Sequence, residues 1–328
     1  MSGNFNNHST SVNKMQPLVS IGVPVYNGEQ YLEECLNSIL IQTYQNWECV
    51  IIDNFSIDNT NAIASEFVKK DNRFKLFKND RLLPVMENWN MAFSKVSDKS
   101  DYFKIMPADD WIFNTYLEKF VDLMENYPKV GVCSSYRIDG LRVRGNGLDF
   151  YYGNIFNGQK IIQDELLMYI DVTGSGNTVL FRYSNLKELE HFPQIFSSET
   201  LHGDTDLTYN VLVNSDFGFL FEVLSYTRRH ETSITNQVAN KLHTAICFRD
   251  NQMMKYKNII NDFEPEYNYL RMNYAVLYFK KITRFDFKAL KWHNKNLHNK
   301  ITFGEILHSL YMNYFVNKIR GKKRYRNF

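Results

Sequence analysis

Through the first 135 residues, short apolar runs alternate with amphipathic stretches of helical period. Leu18 to Val25 is a β-rich run ending in Pro24-Val25-Tyr26-Asn27, and Tyr31, Leu32, Cys35, Leu36, Ile39 and Leu40 then recur at helical spacing. Glu48 to Ile52 predicts the next strand, which stops at Asp53-Asn54. A helix follows from about Asp58, with Ile63, Phe67 and Val68 on one face. Phe74 to Phe77 predicts a third strand. Val85 to Val96 predicts a helix with Trp89, Ala92, Phe93 and Val96 inward, and Tyr102 to Met106 a fourth strand running into Ala108-Asp109-Asp110. Tyr116, Leu117, Phe120, Val121 and Met124 mark another helix, and Val130 to Ser134 a further strand. Strands alternating with helices of this length predict an α/β fold, a doubly wound and mostly parallel sheet flanked by helices. Such sheets bind ligands beyond the carboxyl ends of their strands. Tyr26-Asn27, Asp53-Asn54 and Asp109-Asp110 each follow a strand, so three groups of polar residues are expected to converge on one crevice.

The pattern loosens after residue 135. Arg142 to Gly158, rich in Gly and Tyr, reads as a loop or hairpin, and Gln163 to Ile170 as a helix. Thr178 to Phe181 predicts a strand, Ser184 to Glu190 a short helix, Asp204 to Val213 a helix opening on an acidic pair, and Phe217 to Tyr226 a strand. After Ser233 the chain reads as mainly helical. The expected organisation is a polar, disordered leader at 1–16, a domain at 17–235 with halves 17–135 and 136–235, and a helical C-terminal region at 236–328. In that last region Phe303, Ile306, Leu307, Leu310, Tyr311, Tyr314 and Phe315 fall on one stripe. A tail follows in which Lys318, Arg320, Lys322, Lys323, Arg324 and Arg326 meet no acid. Stripe and tail suit peripheral contact with an anionic membrane, or a terminal helix packed on the core with a solvated tail.

Composition narrows the classes. A chain of 328 residues, 44% apolar and 23% charged, fits a soluble globular protein with a sizeable core. Aromatics at 15% suit dense packing first and sugar-facing surfaces second. The net charge of +2 does not mark a polyanion binder, and one short basic patch beside an acidic crevice argues against nucleic acid. Cys35, Cys49, Cys133 and Cys247 form no C-x-x-C pair; they read as reduced thiols, consistent with a cytoplasmic setting. No signal-peptide core is visible, and no apolar stretch approaches the ~20 residues that span a bilayer.

Asp109-Asp110 is the chemically pointed pair. A departing diphosphate concentrates negative charge, which a divalent cation neutralises. Mg²⁺ or Mn²⁺ needs only one or two carboxylates, phosphate and water completing its shell. The alternative is a helix cap ahead of Trp111-Ile112.

Four segments in order carry a resemblance: Pro24-Val25-Tyr26-Asn27-Gly28, Ser38-Ile39-Leu40-Ile41-Gln42-Thr43, Ile52-Asp53-Asn54-Phe55-Ser56-Ile57-Asp58-Asn59-Thr60 and Ala108-Asp109-Asp110-Trp111. Together they resemble family 2 glycosyltransferases of the GT-A fold. The likeness is strong over 17–135. It continues more weakly to about 235 through Gly174-Ser175-Gly176-Asn177 and Gly203-Asp204-Thr205-Asp206-Leu207.

The resemblance implies an inverting, metal-dependent transfer of a sugar from a nucleotide-diphosphate donor, a UDP-sugar favoured. The acceptor would be a hydroxyl of a saccharide or lipid-linked glycan, in surface polysaccharide, O-antigen or related synthesis. It implies that Pro24, Tyr26, Asn27, Asp53 and Asn54 line the nucleotide pocket, with Asn88 and Asn90 in a further family-like stretch. The family often carries two acids where this chain has Asp53-Asn54; an amide oxygen at Asn54 would still accept a base N–H. Lys104 would meet donor phosphate, or else stand as a solvated lysine on a strand edge. The family's earlier Asp is Pro107 here, so Asp110 would hold the metal and Asp109 the ribose. His230 would touch diphosphate or metal, and Arg228 or Arg229 would clamp phosphate, Arg229 being preferred. Gly174, Ser175, Gly176 and Asn177 would form the acceptor side. Asp204 would be the general base, with Asp206 supporting its helix start and Glu199 and Asp216 as rivals; otherwise both acids merely cap that helix. Inversion needs no protein nucleophile, so the lack of a Ser-His-Asp signature is expected. Asn54 and Pro107 leave a second reading, a catalytically inactive nucleotide- or glycan-binding protein on the same fold.

Overall fold

The computed structural model describes residues 16–148, 153–192, 194–196, 202–231, 233 and 244–320, with only the helix path over 313–320. Residues 1–15 of the leader, Glu199, the side chains of Tyr314, Phe315, Lys318 and Arg320 and the rest of the basic tail therefore lie outside the described residues. Strands and helices alternate at first: β1 (Val19–Val25), α1 (Leu32–Leu40), β2 (Trp47–Asp53), α2 (Thr60–Lys70), β3 (Phe74–Lys78), α3 (Val85–Ser94) and β4 (Tyr102–Ile105). Next come β5 (Trp111–Ile112), α4 (Tyr116–Asn126), β6 (Val130–Asp139), β7 (Arg142–Arg144), β8 (Ile155–Asn157), α5 (Gly158–Leu166), β9 (Leu180–Arg182), α6 (Tyr183–Lys187), α7 (Gly203–Leu212) and β10 (Asp216–Thr227). Helices α8 (Thr244–Lys255), α9 (Phe263–Thr283), α10 (Phe287–Asn296) and α11 (Phe303–Arg320) complete the C-terminal region.

One sheet runs β3-β2-β1-β4-β9-β6-β10-β5. Its long ladders, β1 with β2 and β4, β2 with β3, and β6 with β10, are parallel. Short β9 joins the two parallel groups antiparallel to both β4 and β6. Every position of β1 and β2 is buried, as a parallel sheet covered on both faces requires. Leu36, Ile39, Phe67 and Phe120 pack on one face with Ile21 and Val23; Phe93, Ile162 and Leu207 pack on the other with Val50, Ile52 and Phe103. Pro24 is tolerated in the middle of this sheet for a local reason. The pairing of β1 with β4 ends at Gly22, whose carbonyl accepts from Met106 N, so the missing Pro24 N–H faces the side where β4 has already stopped.

Several sequence expectations need adjusting. The helix expected at Gln163–Ile170 is α5, which starts five residues earlier because the Asn157 side chain caps it by accepting from Lys160 N at 3.0 Å; it ends before Met168, whose φ is +62°. On α2 the buried positions are Thr60, Ala64 and Phe67, and Val68 faces out. β6 runs on to Asp139, past the apolar run, through Ser134, Ser135 and Arg137. The stripe on α11 is split: Ile306 is buried, whereas Phe303, Leu307 and Tyr311 are exposed.

Candidate active site

The ends of β1 and β2 build the first wall. Asp53, fully buried, accepts Ser56 N on Oδ1 at 2.8 Å and Asn61 Nδ2 on Oδ2 at 3.3 Å, with Lys78 Nζ at 3.9 Å. Asn27 and Phe55 both hold left-handed backbone, with φ of 48° and 64°. Asn27 N donates to Ser56 Oγ at 2.9 Å, and Asn27 Oδ1 accepts Ile57 N at 3.0 Å, so the two loops brace each other. Tyr26 stands at their rim, 48% exposed, above buried Pro24.

Asn54 has a different part from the expected one. Its Oδ1 accepts both Leu83 N and Asn79 Nδ2 at 2.9 Å, and its Nδ2 donates to Leu83 O at 2.9 Å. An amide oxygen has two lone pairs, and both are used. Asn54 therefore clamps the 79–83 segment and has no lone pair left for a base N–H. Asn79 continues the chain by donating to Asn88 Oδ1 at 2.8 Å, which places buried Asn88 in the same scaffold. Asn90 is likewise structural, bonded through its amide to the Phe196 backbone.

The second wall follows β4. Asp110 precedes strand β5, not a helix, so the helix-cap alternative falls. Its Oδ1 accepts Arg228 N at 2.8 Å. Burial, and next the neighbouring Asp109, push its carboxyl well above the usual aspartate range, against the Arg228 N–H and the charges of Lys104 and Arg228. Asp109 Oδ2 meets His230 Nε2 at 2.8 Å, and the His230 ring lies 5.1 Å from that of Tyr31. Arg228 donates Nε to Asp109 O at 3.0 Å, pairs with Glu34 and lies 4.5 Å over the Tyr31 ring. Arg229, the preferred phosphate clamp, instead turns away to a two-pronged pair with Asp139; the arginine on the acid pair is Arg228. Tyr31 and Glu34 had no functional signal, because they read as part of an ordinary helix face.

Among the described residues no group of three or more His, Cys, Asp or Glu forms a metal cage. The residues present nonetheless fit a hard dication. Adjacent carboxylates, one buried and pushed up in pKa, beside an imidazole, supply the partial donor set that Mg²⁺ or Mn²⁺ completes with phosphate and water.

Lys104 contradicts both of its expected roles. It is completely buried. Its Nζ donates to Asn177 O at 2.5 Å and Tyr116 OH at 3.0 Å, with Gly176 O and Val179 O at 3.4 Å, and it sits 4.3 Å from the Tyr116 ring centre. It is neither a phosphate ligand nor a solvated edge lysine. It is a post beneath the Gly174–Asn177 loop.

That loop forms the third wall. Gly176 packs against Ile105 and Trp89, and Asn177 Nδ2 donates to Tyr226 O at 2.8 Å, tying the loop to β10 just before Arg228. Gly174 has φ +34°, and a Cβ there would run into Arg137 Nη1. Ser175 closes the turn, its carbonyl accepting Thr178 N at 2.8 Å. From the start of α7, Asp204 Oδ2 accepts Gly176 N at 3.0 Å, and Oδ1 accepts Thr205 N at 2.9 Å. Burial raises its carboxyl pKa, opposed mainly by His202. Asp206 points elsewhere, to Gln252 and Lys255 of α8. Asp216 opens β10, roughly 35 Å of strand from Arg228, at the opposite edge of the sheet. A cavity of about 1920 Å³ opens beside α7, lined among others by Asn90, His202, Asn210, Phe248 and Tyr256, and Asp204 is not part of its lining.

Asp53, Asp109-Asp110 and Asp204 thus lie along one sheet edge, joined through β1, Gly176 and Arg228. The chain is similar to known proteins to different extents. A Haemophilus influenzae protein described as an uncharacterized glycosyltransferase is 37% identical over 120 residues, 37% of this chain and 36% of that one. The chain so spans about a third of that relative's length. Glycosyltransferase GlyG of Streptococcus pneumoniae is 28% identical over 225 residues, covering 67% of this chain and 73% of its own. Among solved structures, S. aureus TarS 1-349 in complex with UDP-GlcNAc superposes with a TM-score of 0.58 at 17% identity, over 79% of this chain and 81% of its own. The mannosyltransferase PcManGT of Pyrobaculum calidifontis, in complex with GDP-Man and Mn²⁺, does so at 0.52 and 14%, over 93% and 88%. At these identities the structures speak to the fold, which is GT-A. The model of the family described as "Glycosyl transferase family 2" matches residues 20–189, more than half of the 328, and the chain belongs to that family.

Proposed function

We propose that the chain is an inverting glycosyltransferase that moves a sugar from a nucleotide-diphosphate donor, a UDP-sugar foremost, to a hydroxyl of a saccharide or lipid-linked acceptor. The observation that carries this reading is the Asp109-Asp110 pair, Asp110 buried and Asp109 partly exposed, flanked by Arg228 and His230, on the same edge as the half-buried carboxylate of Asp204. Asp53, whose Oδ2 bond to Asn61 is long at 3.3 Å, accepts from the base. Asp109 faces the ribose. Arg228 faces the diphosphate. A bound Mg²⁺ or Mn²⁺, held by Asp110 with His230 beside it, would neutralise charge on the departing diphosphate. Asp204 takes the acceptor's proton as the hydroxyl attacks opposite the leaving group, a role worth ~10²–10⁴ in rate. Burial suits it to that task by lifting its pKa toward the working range. Support for donor and metal comes from neighbours solved with UDP-GlcNAc and with GDP-Man and Mn²⁺. Among the described residues no helix is long and apolar enough to cross a membrane, and the four cysteines are buried and free, in keeping with work on the cytoplasmic side. Asn54 no longer favours a binding-only protein, since its amide is engaged in structure.

The test is a melting screen of UDP- and GDP-sugars with and without Mn²⁺, followed by transfer assays. A true donor at a hundredfold excess over its Kd stabilises by about 2.7 kcal/mol. Asp110→Asn should lose the Mn²⁺-dependent part of that shift. Asp204→Asn should keep it and lose transfer. Absence of any nucleotide shift in the unaltered protein, or full turnover by Asp204→Asn, would overturn the assignment.

A further inference from the structure

The turn between α9 and α10 departs from what a solvated surface requires. Phe285 takes left-handed backbone, φ 54°, and Phe287 opens α10. The two side chains are 75% and 69% exposed, their rings 6.2 Å apart, and Ile282 beside them is 40% exposed. A bulky residue in the left-handed region is strained, and strain of that kind collects at functional segments.

The charges of the turn point one way. Its acid, Asp286, caps α10 by accepting Ala289 N at 3.1 Å and pairs with Lys281 Nζ at 3.1 Å, so its charge is answered within the turn. Around the aromatics Lys280, Arg284, Lys288 and Lys291 are exposed. Lys280 complements the C-terminal dipole of α9 and is ordinary there. Lys288 is not: it lies in the first turn of α10, at the positive end of the helix dipole, and the one acid beside it, the capping Asp286, is already paired with Lys281. The acids at the other end of α9, Glu264 and Glu266, are roughly 25 Å of helix away.

We propose that this turn docks on an anionic bilayer, with Phe285 and Phe287 entering the interface and Lys280, Arg284, Lys288 and Lys291 facing lipid phosphates. Charge complementarity selects this occupant. A second copy would bring the same cations against themselves, whereas an anionic leaflet answers both the bare aromatics and the collar around them. Docking of this kind would bring the chain to a lipid-linked acceptor, but it does not depend on the transfer reading.

The test uses the full chain with phosphatidylcholine vesicles, with and without phosphatidylglycerol, read by flotation without donor or acceptor. Binding is expected only with phosphatidylglycerol. Lys288→Gln and Lys291→Gln should each weaken it about fivefold, and Phe285→Ser with Phe287→Ser about tenfold, with melting temperature unchanged. The basic tail is constant across this series, so its contribution cancels. Unaltered binding in both sets of variants would overturn the proposal. So would failure of the parent protein to float. Self-association or RNA binding lost with the phenylalanine pair, in place of vesicle binding, would overturn it in favour of another occupant.

Discussion

Replacing Lys104 by Met separates a post from a ligand. The ammonium is completely buried and makes two good bonds, to Asn177 O and Tyr116 OH. Hydrogen bonds to a charged group are worth about 1.5–3 kcal/mol each. Much of that returns when a desolvated charge is removed, and Tyr116 OH keeps a partner, since it also donates to Thr178 O at 3.0 Å. What remains is chiefly the stranded Asn177 carbonyl, at about 1–3 kcal/mol, and the lost contact with the Tyr116 ring, at about 1 kcal/mol. A net loss of about 2–4 kcal/mol follows. For a chain of 328 residues, at about 1.5 °C per kcal/mol, the melting temperature should fall roughly 3–6 °C.

Lys104→Met should also lower kcat, because the loop it supports presents Gly176 N to Asp204. KM for the donor should hold. Burial pushes the Lys104 pKa well below the usual lysine value, with Asp110 opposing. The unfolded chain therefore binds the extra proton between the two values, so the parent protein gains stability as pH rises through that window and the Met variant lacks that slope. Melts across pH and steady-state kinetics with varied donor check both. A donor KM raised about tenfold with an unchanged melting temperature would mean that Lys104 touches phosphate after all, and the reasoning would fail.

Other substitutions test the remaining walls. Asn54→Asp restores the acid pair common in the family, yet it sets a carboxylate oxygen against Leu83 O, so it should cost about 1–3 kcal/mol in a melt and not tighten donor binding. Gly174→Ala meets both a positive φ and the Arg137 guanidinium, so a loss of about 1–3 kcal/mol is expected, with kcat falling more than donor affinity; equal melting temperatures would refute it. The acid limb of kcat/KM should lie above the range of an exposed aspartate, because burial raises Asp204. His202→Asn should move that limb higher still, since the imidazolium lowers Asp204; a limb that stays in place would clear both residues of the role.

The strand-end acids were legible because parallel sheets fix geometry. Once β1, β2 and β4 are read from their apolar runs, the residues that follow must share an edge, and Asp53 and Asp109-Asp110 do. The second half was less legible where polar residues build regular structure. Ser135 and Arg137 extend β6 without an apolar pattern, and Asn157 starts α5 inside a stretch that reads as loop. Periodicity reports which face is apolar. It does not report a cap made by one side chain.

Partners were the least legible feature, for a physical reason. A strand-end acid is located by its own strand, but what a buried amide or ammonium does depends on groups far along the chain. Asn54 bonds the backbone 29 residues on, Lys104 carbonyls 73 residues on, and Arg228 lies across Asp109 at a separation of 119. A buried polar group must be satisfied by whatever the fold brings close. Asn54 and Lys104 each resemble a ligand in sequence because both sit beside the site, yet closing the loops consumes their hydrogen-bonding capacity. Asp204 differs in kind. Its two bonds are to backbone N–H groups, which favour the ionised form while burial opposes it, and that balance leaves a carboxylate able to receive a proton. With Asp204 as the proposed base, the distinction between scaffold and chemistry at this edge lies in whether a side chain's lone pairs are exhausted by the protein itself.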